Sequence, residues 1–300
     1  MSRSESIYTA ITGKIIGLSI SESEDLAKLG FGYAHLEDAK IEIARHLLSC
    51  GATLMYGGDL RDNGHTRKLF ELVENYKIAN MPEDHKMLIN VLGWPLQQTL
   101  TTELRASLSD RISFAETGLP SDLEKERLSA KQHLSKDLTN GQRYHWARTM
   151  TYMREYMTKE NDARVILGGK TSGYKGKYPG IVEEAYLSIE AGKPTFIVGA
   201  FGGAAADVIQ ALNSRTPQRL SAEYQFQNVL AEGTAQYYNE HKPKSCPPIE
   251  YQTLIKFFES KGVNSLNNGL SEEENKRLVE TMHIPEMVAL ILKGLVSIYG

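Results

Sequence analysis

Only two cysteines, Cys50 and Cys246, occur in the 300 residues. Two such isolated thiols support neither a disulfide framework nor a cysteine metal site, and they fit a reducing compartment. Long apolar runs are scarce as well. The strongest candidate, residues 287–296, is shorter than the about 20 residues a membrane helix requires, and it contains Lys293. The opening residues are polar, without the apolar core of a secretory signal. There is no large excess of one charge sign. A formal net charge of −3 gives no electrostatic reason to expect nucleic acid. The eight histidines are scattered without metal-ligand spacing. A phosphate loop of the Gly-x-x-x-x-Gly-Lys-Ser/Thr type, a nucleophile elbow and a Cys/His pair are all missing. The expectation is a cytoplasmic protein that holds no metal and engages neither membrane nor nucleic acid.

What the chain does have is glycine where apolar runs end. Residues 164–167 form a short run without alternation, as in a strand buried on both faces of a parallel sheet. Gly168 and Gly169 follow at once, and Lys170 comes next. Pro179 and Gly180 open a helix that Gly192 ends. Residues 195–198 read as a second buried strand, followed by Gly199, Phe201, Gly202 and Gly203 and a helix of small residues. Bare amides at such a helix start suit a phosphate. A branched side chain at Gly202 or Gly203 is therefore expected to block ligand binding and spare the fold. Upstream, residues 14–20 and 52–56 read as strands, ending in Ser19 and Ser21 and in Gly57-Gly58-Asp59-Leu60-Arg61. Serine hydroxyls, Asp59 and Arg61 suit ribose and phosphate, although serines and aspartates also cap turns. Residues 87–94 supply a further strand.

These elements predict an α/β fold, a Rossmann-like parallel sheet with helices on both faces and a nucleotide pocket at its carboxyl edge. The chain reads as a single domain over residues 1–300. Residues 99–162 form a mainly helical insertion, covering the pocket or making an oligomer contact, and residues 218–300 a helical extension. Trp146, Met150, Met153 and Met157 recur at helical spacing and read as packing surface. Arg143, Arg148 and Arg154 on the same helix can reach an anionic ligand, but they read better as solvated surface. Ser271 and Glu274 form a capping-box pattern.

Glu183 and Glu184 lie in the first turn of the helix after Pro179. Acids favour that position through the helix dipole alone. Beside a pocket, one of them can also bind ribose hydroxyls or serve N-glycosidic cleavage, so both are the catalytic candidates if the protein is an enzyme.

Tyr56-Gly57-Gly58, Leu167-Gly168-Gly169-Lys170, the run from Tyr178-Pro179-Gly180 to Glu183-Glu184-Ala185, and Gly199 with Gly202-Gly203 together resemble the SLOG superfamily. This group of Rossmann-like folds includes cytokinin-activating phosphoribohydrolases, DNA-processing protein A and ligand-sensing domains of bacterial defence systems. The resemblance covers most of residues 14–212, and residues 269–295 also look typical of prokaryotic members. It departs from the phosphoribohydrolases' Pro-Gly-Gly-x-Gly-Thr-x-x-Glu motif, since Ile181 and Glu183 replace two glycines and Leu187 takes the acid's place. It implies a sensor of an NAD-derived or ADP-ribose-like nucleotide, with an N-glycosidase or an oligomeric scaffold as alternatives. It further implies a homo-oligomer and a separately encoded TIR- or sirtuin-type effector.

Overall fold

The computed structural model describes residues 10–58, 60, 65–76, 85–108, 110–123 and 138–300. Six strands form one parallel sheet: β1 (Ile15–Ser21), β2 (Thr53–Gly57), β3 (Leu88–Gly93), β4 (Ile112–Thr117), β5 (Ala163–Gly168) and β6 (Thr195–Val198). Their order is β4-β3-β2-β1-β5-β6, and every pairing is parallel. The chain builds outward from β1 to β4, then returns to add β5 and β6 on the other side of β1. The switch point therefore lies between β1 and β5, where a crevice opens outside the strand carboxyl ends.

Alternation along the strands sorts side chains between two helical layers. Ile16, Leu18 and Ile20 of β1 and Val165 and Leu167 of β5 share one core cluster with Leu36, Ile43 and Leu47 of α1 (Tyr33–Ser49). Helix α2 (His65–Asn75) contributes Leu69 and Phe70 to the same layer. The short α3 (Thr102–Leu108) precedes β4. On the opposite face lie α4 (Asn140–Glu160), α5 (Gly180–Glu190) and α6 (Gly203–Leu212). Thr139 caps α4 in a box with Gln142. The stripe of Trp146, Met150, Met153 and Met157 packs on Met55 and Val91 of the sheet, as its spacing predicts.

The segment 99–162, expected to be mainly helical, also contains a strand. Residues 112–117 form β4, an edge strand whose positions are mostly only half-buried. A strand of that kind needs no continuous apolar run, which is why Ile-Ser-Phe-Ala-Glu-Thr escapes a search for buried strands.

The C-terminal helices have distinct partners. After two short turns of helix, including α7 (Ala222–Gln225), α8 (Val229–His241) packs on α4, and α9 (Tyr251–Lys261) on α6. Helix α10 (Glu272–Glu280) carries the Ser271–Glu274 capping box and lies along β6. There Asn268 donates to the Thr195 carbonyl at 3.0 Å, blunting the sheet edge. Helix α11 (Ile284–Tyr299) buries Met287, Ile291 and Leu295 and packs on α1. Among the described residues, no helix is long and apolar enough to cross a membrane.

Candidate functional site

Arg164 is the largest surprise in the sheet. It sits in an otherwise apolar strand, is fully buried, and points to the α4–α5 face. Its register partner on β1 is Gly17, which puts no side chain in its way. The guanidinium reaches Ser19 Oγ at 2.9 Å, Glu184 Oε2 at 3.0 Å, Ser188 Oγ at 2.7 Å and Thr158 Oγ1 at 3.2 Å. Ser19 in turn donates to Glu184 through a short contact.

Arg154 of α4 closes the cluster from above. It pairs with Glu183 through a short contact and with Glu184 at 3.4 Å, and its side chain is only 11% exposed. Thr151 donates to the other Glu183 oxygen. Burial works against both guanidinium charges. For Arg154 the two glutamates overcome that cost and raise its pKa; for Arg164 burial prevails over Glu184, and its pKa falls. The tandem acids thus serve as counter-charges for two arginines that the sequence reading did not select. Arg154 and Arg148, expected to be solvated, are buried or nearly so. Arg148 grips Asp122 with both terminal nitrogens, at 2.7 and 2.8 Å.

A crevice of about 270 Å³ opens beside this cluster, outside the ends of β1 and β2 and under α4. Of the sequence-selected residues, Ser19, Ser21, Gly57, Gly58, Gly180 and Glu184 line it. Tyr56, Thr66, Met150, Met153, Arg154 and Ile181 complete much of its wall. Tyr56 is anchored by its hydroxyl, which donates to the Ile20 carbonyl at 3.2 Å. Its spacing in β2 hides that role, because it reads as one more apolar strand residue. Gly180 brings the α5 backbone against Arg154: an added Cβ would stand 2.7 Å from its guanidinium. Glu183 points away, into a neighbouring cavity. Asp59 and Arg61 lie outside the described residues.

The other two glycine turns are built differently from the expected open phosphate cradle. Gly168 and Gly169 have φ of +66° and +104°, and the turn they make presses directly on the start of α6. Ala204 donates to the Gly169 carbonyl at 3.0 Å. The Gly203 amide donates to Asp25 Oδ2 at 2.8 Å, and the amides of Thr171 and Ser172 to the Glu24 carboxylate at 3.1–3.3 Å. The loop after β1 thus supplies carboxylates where a phosphate was expected. Arg219 holds Asp25 at 2.6 Å and Asp207 at 2.8 Å.

Phe201 is buried against Phe31, with ring centroids 5.4 Å apart, and Gly199 abuts Val279 of α10. Pro179 caps α5 and is buried, while Lys170 is exposed. The idea that a side chain at Gly203 would spare the fold is corrected here, since its Cβ would lie 2.3 Å from the Gly169 carbonyl oxygen. A Cβ on Gly202 would lie 2.6 Å from that of Asp25. These glycines allow close backbone approach within the protein itself.

A six-stranded parallel sheet with helices on both faces is the fold that the sequence motifs implied. The model of the family described as SLOG cluster2 matches residues 10–278. The chain belongs to the SLOG superfamily. No curated protein matches it. Membership ties this SLOG protein to the binding or processing of nucleotide-related ligands, and the match takes in all six strands, α4 and α5. No cluster of metal-binding side chains occurs among the described residues.

Proposed function

We propose that this SLOG protein senses a nucleotide-derived small molecule, NAD-derived or ADP-ribose-like, in the crevice outside β1 and β2. The observation that carries the reading is the convergence of Ser19, Ser21, the Gly57-Gly58 backbone and Glu184 on one crevice beside the switch point. A carboxylate and hydroxyls suit a ribose diol, and glycines let a ligand approach the backbone. At about 270 Å³ the crevice takes a nucleoside-sized portion, below the about 300–1,000 Å³ of pockets that enclose whole drug-sized ligands. The remainder of a larger ligand extends from its mouth.

Binding is favoured over turnover because Glu184 already accepts from Ser19, Arg154 and Arg164. A carboxylate so occupied is rigid and suited to orienting a ligand, less so to taking up a proton. Signalling or antiviral defence, through a separately encoded TIR- or sirtuin-type effector and a homo-oligomer, is the biological setting of the proposal.

Calorimetry with ADP-ribose, cyclic ADP-ribose isomers, NAD and AMP tests it. At least one of these is expected to bind wild type and to lose affinity at least tenfold with Glu184→Gln. Failure of all four to bind removes the reading.

The second reading is N-glycosidic cleavage, and the observation behind it is Glu184 on the crevice wall, joined through Arg154 to Glu183 behind it. A carboxylate there can stabilise an oxocarbenium-like transition state. Chromatography of released base during incubation with the same nucleotides decides between the two. Sustained turnover, abolished by Glu183→Gln or Glu184→Gln, favours the enzyme.

A further inference from the structure

A second cleft, of about 560 Å³, lies between residues 172–177 and the α7–α8 segment. It shares no lining residue with the crevice. Its wall carries Arg143, Lys175 and Lys177 and, among the described residues, neither aspartate nor glutamate. In a chain of formal net charge −3, that is a local concentration of positive charge.

The most telling of these cations is Lys177. It is 7% exposed, and among the described residues its amine has no hydrogen-bond acceptor and no ion-pair partner. The amine stands 5.2 Å from the centroid of the Tyr178 ring. Glu155, Glu183 and Glu190 line the cavity on its other side without pairing with it. Burial accordingly pushes the Lys177 pKa down. Buried charges normally find a partner, because desolvation is costly without one. Lys177 lines both this cleft and that cavity, so it adds positive charge to the wall they share.

Two further features favour an anion with an aromatic part. Among the described residues the Arg143 side chain donates through its Nε alone, to the Leu138 carbonyl at 3.3 Å, which leaves its terminal nitrogens with donors to spare. Lys175 lines the cleft as well, and its amine stands 4.6 Å over the Trp146 ring. Opposite these cations are Tyr224 and Phe226, the latter packed against Tyr251 at 5.8 Å between centroids. The floor is stiffened by Tyr174, whose hydroxyl donates to Gln225 Oε1 at 3.2 Å and meets that of Tyr251. Aromatic faces offer a base a stacking surface.

We propose that this cleft is a second binding site, taking a nucleoside phosphate with its phosphate on Arg143, Lys175 and Lys177 and its base against Tyr224 and Phe226. The inference goes beyond the crevice and does not depend on it.

Calorimetry with ADP and with inorganic pyrophosphate tests the assignment on wild type, Arg143→Ala/Lys175→Ala, Tyr224→Ala and Glu184→Gln. Wild type is expected to bind both probes. The double variant should lose at least tenfold for each, while Tyr224→Ala should weaken ADP alone. Glu184→Gln should leave an isotherm from this cleft unchanged. A crystal of the wild type soaked with ADP supplies a readout independent of how the variants fold, with density expected between Lys177 and Tyr224. The proposal is overturned if ADP does not bind, or if the double variant binds as wild type does. It is equally overturned if the only ADP isotherm disappears in Glu184→Gln, or if a single-stranded oligonucleotide binds while ADP does not.

Discussion

Arg164 and Glu184 form the pair on which the candidate site rests, and their burial makes them sensitive to single changes. Removing one member of a buried pair leaves the other charge short of its partner, at a cost of about 3–5 kcal/mol. Arg164→Met is expected near the lower end, about 3 kcal/mol, because Arg154 still faces Glu184 at 3.4 Å. Adding Glu184→Gln should recover part of that loss, since the uncompensated charge goes with it. Urea denaturation of the two single variants and the double variant checks this. Simple additivity would mean that the two side chains are not energetically coupled.

Asp25 gives a pH signature of its own. Burial raises its carboxyl, but the Gly203 amide and Arg219 outweigh that and hold its pKa below the ordinary 3.8. A carboxylate depressed on folding contributes stability that is fully present above its unfolded pKa and is lost as pH falls through the folded value. Asp207 behaves oppositely. Burial raises its pKa above 3.8 despite Arg219, so its contribution favours the fold at acid pH and fades as pH rises through the folded value. Asp25→Asn is therefore expected to melt lower than wild type at pH 7 by the equivalent of about 1–2 kcal/mol. The gap should narrow below about pH 4. Melting temperatures measured between pH 7 and pH 3 report it, and a gap that widens toward acid would contradict the assignment.

At the scale of elements, the turns before α5 and α6 carry the lesson about what sequence can tell. Glycine at the ends of β5 and β6 marks tight turns, and the tight turns are there. Whether their amides face a ligand or the protein's own carboxylates depends on Asp25, which lies 178 residues from Gly203 in sequence. No local pattern carries that information. The same holds for Arg164, whose partners lie 20 and 145 residues away. Five strands were legible because each is an apolar run stopped by a glycine, serine or proline. The sixth, β4, was not, because an edge strand with half-buried positions has no such run.

The turn at Gly203 can be probed directly. Gly203→Ala places a methyl group 2.3 Å from the Gly169 carbonyl in a residue with φ of +64°, and should cost about 3 kcal/mol. Gly13→Ala carries similar strain, at φ +74°, with nothing within 4 Å, and should cost about 1 kcal/mol. Chemical denaturation of both separates close packing from backbone strain. Equal losses would mean that the contact between the β5 and α6 turns relaxes freely.

For the whole molecule, the sheet order explains why the site stands where it does. The reversal between β1 and β5 brings Ser19, Ser21 and the α5 glutamates together, while β2 brings Gly57 and Gly58 from the other side. The α4 helix roofs the crevice with Met150, Met153 and Arg154, so the segment 99–162 contributes both to the sheet and to the pocket wall. The β5 and α6 turns, closed by Glu24 and Asp25, border this arrangement without lining it. The most direct measurement is a crystal structure of the protein grown with saturating ADP-ribose. Ribose hydroxyls are expected within hydrogen-bond distance of Glu184 and Ser19, under α4. A ligand seated on the Gly202–Gly203 turn after displacement of Asp25, or a crevice left empty at saturation, would contradict it.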